Sequence, residues 1–271
     1  MERILVQTHD VSPHRRAYLM RLLRERRLIT AARFLLLLAL IVAWELAARL
    51  GAIDPFITSS PTRVAATVWR LLEAGELFLH IGVTLYETVA GFVLGTLLGT
   101  LLAALLWWSP RLSSVLDPYL VVLNALPKIA LGPILIVWIG AGTGSIIVMA
   151  VLVSLVVTTV TVLTGFLEAT GDKELLMRTL GASKTQIFRL VVLPASVPAI
   201  VAALKMSVSM SWVGVIVGEY LVSKAGLGFL IVYGGQVFKL DLVMASIVVL
   251  CALAAVMYYG VAALEKRLTR A

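Results

Sequence analysis

Apolar runs of about 17 to 25 residues recur along this chain, and that length is what an α-helix rising 1.5 Å per residue needs to cross about 30 Å of hydrocarbon. The runs lie near residues 34–50, 82–108, 119–139, 145–166, 195–217 and 242–264. They predict an all-α integral membrane protein of six transmembrane helices. The balance of 61% hydrophobic and 14% charged residues agrees, because soluble domains carry about a quarter charged residues. Organisation follows the same pattern: a basic arm over residues 1–33, then a transmembrane domain over residues 34–271.

The formal net charge of +8 does not point to nucleic acid, since the basic residues fall between apolar runs and form no single face. With the N-terminus inside, sixteen of the 23 Lys and Arg residues lie in cytoplasmic pieces. Five lie outside: Arg49, Arg63, Arg70, Lys224 and Lys239. That asymmetry predicts cytoplasmic termini. Eight arginines precede the first apolar run, unlike a cleavable signal. Within that arm, residues 18–29 read either as an amphipathic helix on the membrane surface or as a solvated basic tether.

Several features carry no chemistry of their own. Cys251 is the single cysteine, so no intrachain disulfide is expected, and His9, His14 and His80 lack partners at metal-ligand spacing. Gly91, Gly95, Gly99 and Ala103 repeat every four residues and predict close helix packing. Residues 140–145 (GAGTGS) have no following lysine and read as a turn, so no P-loop is present to hold ATP.

The connection over residues 168–194 is richer. Asp172 is placed to cap a short helix running to Leu180, where Gly181 supplies a left-handed stop. Ser183 with Gln186 forms a capping box for a second helix, which predicts Ile187 and Phe188 exposed one turn later. Leu193 and Pro194 close the segment at the start of the fifth span. Apolar residues on the water side of a membrane protein mark a partner site.

This segment resembles the cytoplasmic loop of bacterial binding-protein-dependent ABC importer permeases. Gly181, nine intervening residues, then Val191 to Pro194 keep the family spacing. Leu175, Leu176 and Met177 stand where the family has Glu-Ala-Ala. The likeness extends to residues 126–131 (LPKIAL), 138–140, 212–219 (WVGVIVGE) and 226–231 (GLGFLI), and it is nearest to the nitrate, sulfonate and taurine type.

The resemblance implies the type I ABC importer permease fold in a bacterial inner membrane. It also implies two cytoplasmic ABC ATPases that use ATP and Mg, an external solute-binding protein, and a second permease subunit, preferably identical. The implied ATPase contacts are Leu175, Leu176, Met177, Leu180, Gly181, Ala182, Ile187, Phe188, Leu193 and Pro194. No cofactor is implied for this chain itself.

Charged residues within spans usually face a bundle interior or a wet cavity. Glu45, Glu87, Lys128, Lys205 and Glu219 are of this kind. Pro127 and Lys128 form one candidate path element, because the proline frees backbone groups. Trp212 and Glu219, two turns apart on one helix face, form another. Lys128 is equally suited to pair with Glu219 or Glu87, and Lys205 either attracts an anion or pairs with a carboxylate. Gly226 and Gly228 are candidates for a gate or for a plain turn. A secondary carrier or channel is the alternative function, with a vitamin or pyrimidine precursor as the alternative to an anionic substrate. An enzyme is disfavoured, since no Ser/His/Asp grouping or catalytic carboxylate pair is evident.

Overall fold

The computed structural model describes residues 13–268, and the fold divides into two units, one ending at Arg63 and one beginning at Val64. The first unit is dominated by α1 (Pro13–Arg49), a helix of 37 residues. At 1.5 Å per residue it is about 55 Å long, well beyond the hydrocarbon thickness. The described part of the basic arm therefore continues the first span as one rod and does not turn along the membrane surface. Residues 1–12 of the arm, with His9 and one of its arginines, lie outside the described residues.

Near the far end of α1, Glu45 holds Arg49 at 2.7 Å and accepts from the backbone N–H of Thr62 at 3.1 Å and its hydroxyl at 3.0 Å. Its role is to cap the next helix, α2 (Pro61–Glu73), whose first N–H groups have no partner within the helix.

The second unit is built on α3 (Glu76–Trp108), α6 (Thr143–Thr179) and α8 (Val197–Val222). Between them lie α4 (Pro110–Ala125) and α5 (Gly132–Ile139), then α7 (Lys184–Ile187). The chain ends with α9 (Leu227–Gln236) and α10 (Leu240–Leu268). Among the described residues, five helices are long and apolar enough to cross a membrane, and a bent pair brings the number to six.

Small residues set the packing of the three central helices. A Cβ on Gly91 would come within 2.5 Å of Ala150 Cβ, and one on Gly99 within 2.8 Å of Thr158 Cβ; Gly95 faces Ser154 in the same way. On the other side of α6, a Cβ on Gly214 would lie 2.5 Å from Ala150 Cα. The expected stripe Gly91, Gly95, Gly99 and Ala103 is thus the seam between α3 and α6, where close backbone approach gives dispersion contacts that lipid cannot replace. Thr159 staples this seam by donating to the Gly99 carbonyl at 3.2 Å, while Thr96 and Ser207, 2.9 Å apart, join α3 to α8. On the outer face of α3, Leu97, Leu98, Leu101 and Leu105 stay exposed, as lipid contact allows.

The third span, expected over residues 119–139 with its helix broken at Pro127, is indeed two helices. It breaks by 89° between α4 and the turn at Lys128–Leu131 that leads into α5. The cause is Pro127: it lacks an N–H, and its ring drives Leu126 into an extended conformation (φ −65°, ψ 132°).

Candidate functional site

Two clusters at opposite ends of α3 combine polar or exposed groups with unusual local geometry. The first is the connection between α6 and α8. Gly171 has non-helical angles (φ 6°, ψ −133°), so the last turns of α6 form a separate short helix beyond a kink. The side chain of Asp172, expected as its cap, lies outside the described side chains. The helix stops in a Schellman arrangement: Gly181 takes φ 79°, its N–H reaches the Arg178 carbonyl at 3.0 Å, and the Ala182 N–H reaches Met177 at 3.0 Å. The capping box follows as expected, with Ser183 N donating to Gln186 Oε1 at 2.7 Å and Gln186 N to Ser183 Oγ at 3.4 Å.

The two halves of this segment face different ways. Leu175, Leu176 and Leu180 are more than 60% exposed, with Gly181 beside them, while Met177 and Ala182 are half-buried against the core. Ile187 is only 2% exposed, contrary to the expectation that it projects outward. Phe188 is half-buried, its ring centroid 5.0 Å from Trp107, 5.5 Å from Phe166 and 6.2 Å from Trp108. The reason is that α7 lies across the ends of α3 and α6, where an aromatic pocket removes more apolar surface from water than exposure would.

Lys184 fixes this contact. Its Nζ donates to the Trp108 carbonyl at 2.6 Å and lies 5.4 Å from the Trp107 ring centroid. It thereby satisfies an orphan carbonyl at the α3 C-terminus and places a cation where the helix dipole favours one. A π-helical turn over Phe188–Val192 follows, and Leu193 and Pro194 form a short turn before α8. Ser196 closes the junction by donating to the Gly165 carbonyl at 2.9 Å.

The second cluster lies at the start of α3, about 35 Å away along that helix at 1.5 Å per residue. Three successive N–H groups at the N-terminus of α9 are met by three side chains. Gly226 N donates to His80 Nδ1 at 2.9 Å, Leu227 N to Thr84 Oγ1 at 2.8 Å, and Gly228 N to Glu219 Oε2 at 2.5 Å. Thr84 in turn donates to Glu219 Oε1 at 2.6 Å. All three side chains are buried. Because His80 Nδ1 accepts, a neutral ring carries its proton on Nε2. The ring also stacks on Phe229.

Gly226 and Gly228 allow this clamp. Gly226 sits at φ 116°, and a Cβ there would strike the Glu219 carboxylate; a Cβ on Gly228 would lie 2.7 Å from Glu219 Oε2. Glu87 is buried beside Glu219 and Thr143. The sequence reading missed His80 and Thr84. Four-residue spacing on one face of α3 was the available signal, but nothing local connects that face to residue 226.

The structure separates the other expected site residues. Trp212 and Glu219 share a buried face of α8. Lys128 pairs with neither Glu219 nor Glu87; at the bend it is half-buried and donates to the Asn124 carbonyl at 3.2 Å. Lys205 forms an ion pair with Glu265 of α10 at 2.5 Å, which accounts for its charge. Among the described residues, no three His, Cys, Asp or Glu side chains gather as a metal site would require.

Comparison with known proteins gives a consistent picture. The family described as binding-protein-dependent transport system inner membrane component matches residues 95–270. An ABC transporter permease protein of Haemophilus influenzae is 33% identical over 222 residues, covering 82% of this chain and 90% of that protein. A Bacillus subtilis permease protein for aliphatic sulfonates transport is 28% identical, covering 87% and 86%. A formylaminopyrimidine transport permease protein of Halalkalibacterium halodurans is 31% identical, covering 72% and 77%. In fold, the chain is similar to the inward-facing MetNI methionine ABC transporter, with a TM-score of 0.61 at 20% identity, covering 69% of this chain and 93% of that one.

Proposed function

We propose, from the premise that the chain belongs to the family of binding-protein-dependent transport system inner membrane components and is an ABC importer permease, that it works as a lever between two coupled ends. The observation that carries this reading is the division of residues 172–194 into an exposed apolar half and a buried aromatic half. Leu175, Leu176 and Leu180, with Gly181 at the turn, form the surface for a cytoplasmic ABC ATPase. Ile187 and Phe188 do not touch that partner; with Lys184 they fasten the surface to α3. Met177, Ala182, Leu193 and Pro194 hold the shape of the segment.

ATP and Mg belong to the ATPase pair. Its closure draws two such surfaces together, and α3, α6 and α8, locked by their glycine seams, carry the movement to the opposite end. Packed elements of this kind switch between discrete arrangements and do not deform continuously. At that end the Gly226–Gly228 clamp holds α9 as the gate facing the solute-binding protein. The path follows the broken third span, where Pro127 and Lys128 expose backbone at the bend, while Trp212 and Glu219 position the gate from within. The Lys/Arg distribution supports cytoplasmic termini, and two identical permease subunits complete the pathway.

For substrate, a small organic or inorganic anion such as a sulfonate, taurine or nitrate is favoured, supported by the relative named for aliphatic sulfonates. The relative named for formylaminopyrimidine supports a pyrimidine precursor as the second reading. Competition by taurine and by a formylaminopyrimidine for uptake into proteoliposomes holding the complete importer separates the two. The lever reading is tested by capturing the ATPase on the purified chain. Leu176→Glu with Leu180→Glu abolishes capture, and Ile187→Val leaves it intact. Capture that survives the double glutamate change refutes the docking surface.

A further inference from the structure

We infer that His80 makes the α9 clamp a proton-sensitive latch, closed while its ring is neutral and released when the ring takes up a proton. The three side chains of the clamp respond differently to acid. Thr84, which accepts from Leu227 N, does not titrate. A proton on Glu219 Oε1 still leaves Oε2 to accept from Gly228 N. His80 has no such reserve. Its Nδ1 accepts from Gly226 N at 2.9 Å through the one lone pair of a neutral imidazole, and an imidazolium presents a second N–H there instead. One proton thus turns a hydrogen bond into a contact between two donors.

The ring cannot leave this contact without disturbing α9. It is 7% exposed and stacks on Phe229, which stacks in turn on Tyr233, both on α9. Gly226 caps that helix: its carbonyl accepts from Leu230 N at 3.1 Å, and its φ of 116° aims its own N–H back at α3. Charged and titratable groups surround the latch on every element that meets it. Glu76 lies one turn earlier on α3, exposed and close enough to act on the charge of the ring. Glu219 and Tyr220 come from α8, with Glu87 of α3 beside Glu219. Lys224 is exposed in the link to α9, and Lys239 and Asp241 stand at the start of α10, which packs on α9 at Gly234.

A fixed helix cap needs no histidine, since Ser, Thr, Asp and Asn serve as caps and Thr84 already acts on the next N–H. Histidine is the side chain whose charge ordinarily changes between about pH 5 and 8. The latch stands on this geometry alone; its consequence for transport rests on the reading of α9 as the gate.

The test follows hydrogen–deuterium exchange of residues 226–229 in the full chain in nanodiscs, divided at each pH by the intrinsic amide rate. A buried N–H that loses its acceptor opens about five- to 100-fold more often, and that rise is expected as pH falls from about 8 to about 5. His80→Asn keeps an acceptor oxygen on Cγ and does not titrate, so its protection stays level over the same range. The seam around Gly95 and Gly99 stays level in both proteins. Level protection of residues 226–229 in the unaltered chain overturns the inference, and this result needs no variant to fold. An equal fall in His80→Asn overturns it and assigns the response to Glu219; an equal fall at the seam overturns it as general loosening. ATP hydrolysis by the complete importer with one pH profile in both proteins, beside a fall in protection confined to the unaltered chain, keeps the latch and removes α9 from the gate.

Discussion

Replacing Glu219 with alanine removes the acceptor that two buried donors share. Gly228 N and the Thr84 hydroxyl lie 2.5 and 2.6 Å from its oxygens, and the carboxylate is only 1% exposed. Each donor left without a partner costs about 1 to 3 kcal/mol, so the N-terminus of α9 loosens by about 2 to 6 kcal/mol. Opening of that turn then becomes at least roughly thirtyfold more frequent, since about 1.4 kcal/mol is a factor of ten. Glu219→Gln is milder. Its carbonyl oxygen accepts from Gly228 N, and its amide donates to Thr84 Oγ1, which already accepts from Leu227 N; the Thr84 hydroxyl hydrogen alone loses its partner. That variant should open less than about tenfold more often, from about 1 kcal/mol. Hydrogen–deuterium exchange of the peptide containing residues 226–229, followed in nanodiscs by mass spectrometry, reads both values. Protection in Glu219→Ala equal to that of the unaltered chain would show that the clamp does not hold α9, and the gate assignment would fall with it.

Other consequences are equally direct. Phe188→Ala empties part of the aromatic pocket formed with Trp107, Trp108 and Phe166; about 2 to 3 kcal/mol of stability is lost, seen as a lower unfolding temperature and altered tryptophan fluorescence. Gly95→Val drives a side chain into Ser154 across the α3–α6 seam, and size-exclusion chromatography should show aggregated or depleted protein where Leu97→Val elutes normally. Lys205→Ala leaves uptake within about twofold, because that side chain is committed to Glu265 at 2.5 Å and only partly buried. A tenfold loss of uptake would return Lys205 to the solute path.

The parts of this protein governed by hydrogen bonds between near neighbours, or by the match of apolar length to bilayer thickness, were legible in the sequence. The spans, the stop at Gly181, the Ser183–Gln186 capping box and the packing stripe from Gly91 to Ala103 are of this kind. Even the break at Pro127 carried its own signal, although the size of its bend depends on what α5 packs against. Gly132, for example, lies against the ends of the Met149 and Leu221 side chains, which a Cβ there would displace. By contrast, the inward turn of Ile187 and Phe188 depends on an aromatic pocket whose other walls come from α3 and α6. The clamp on α9 depends on Thr84 and Glu219, which are 135 residues apart in the chain. Short-range pattern fixes which groups a helix end leaves unsatisfied; only the packed bundle decides which distant side chain arrives to satisfy them, because burial makes every such donor find a partner.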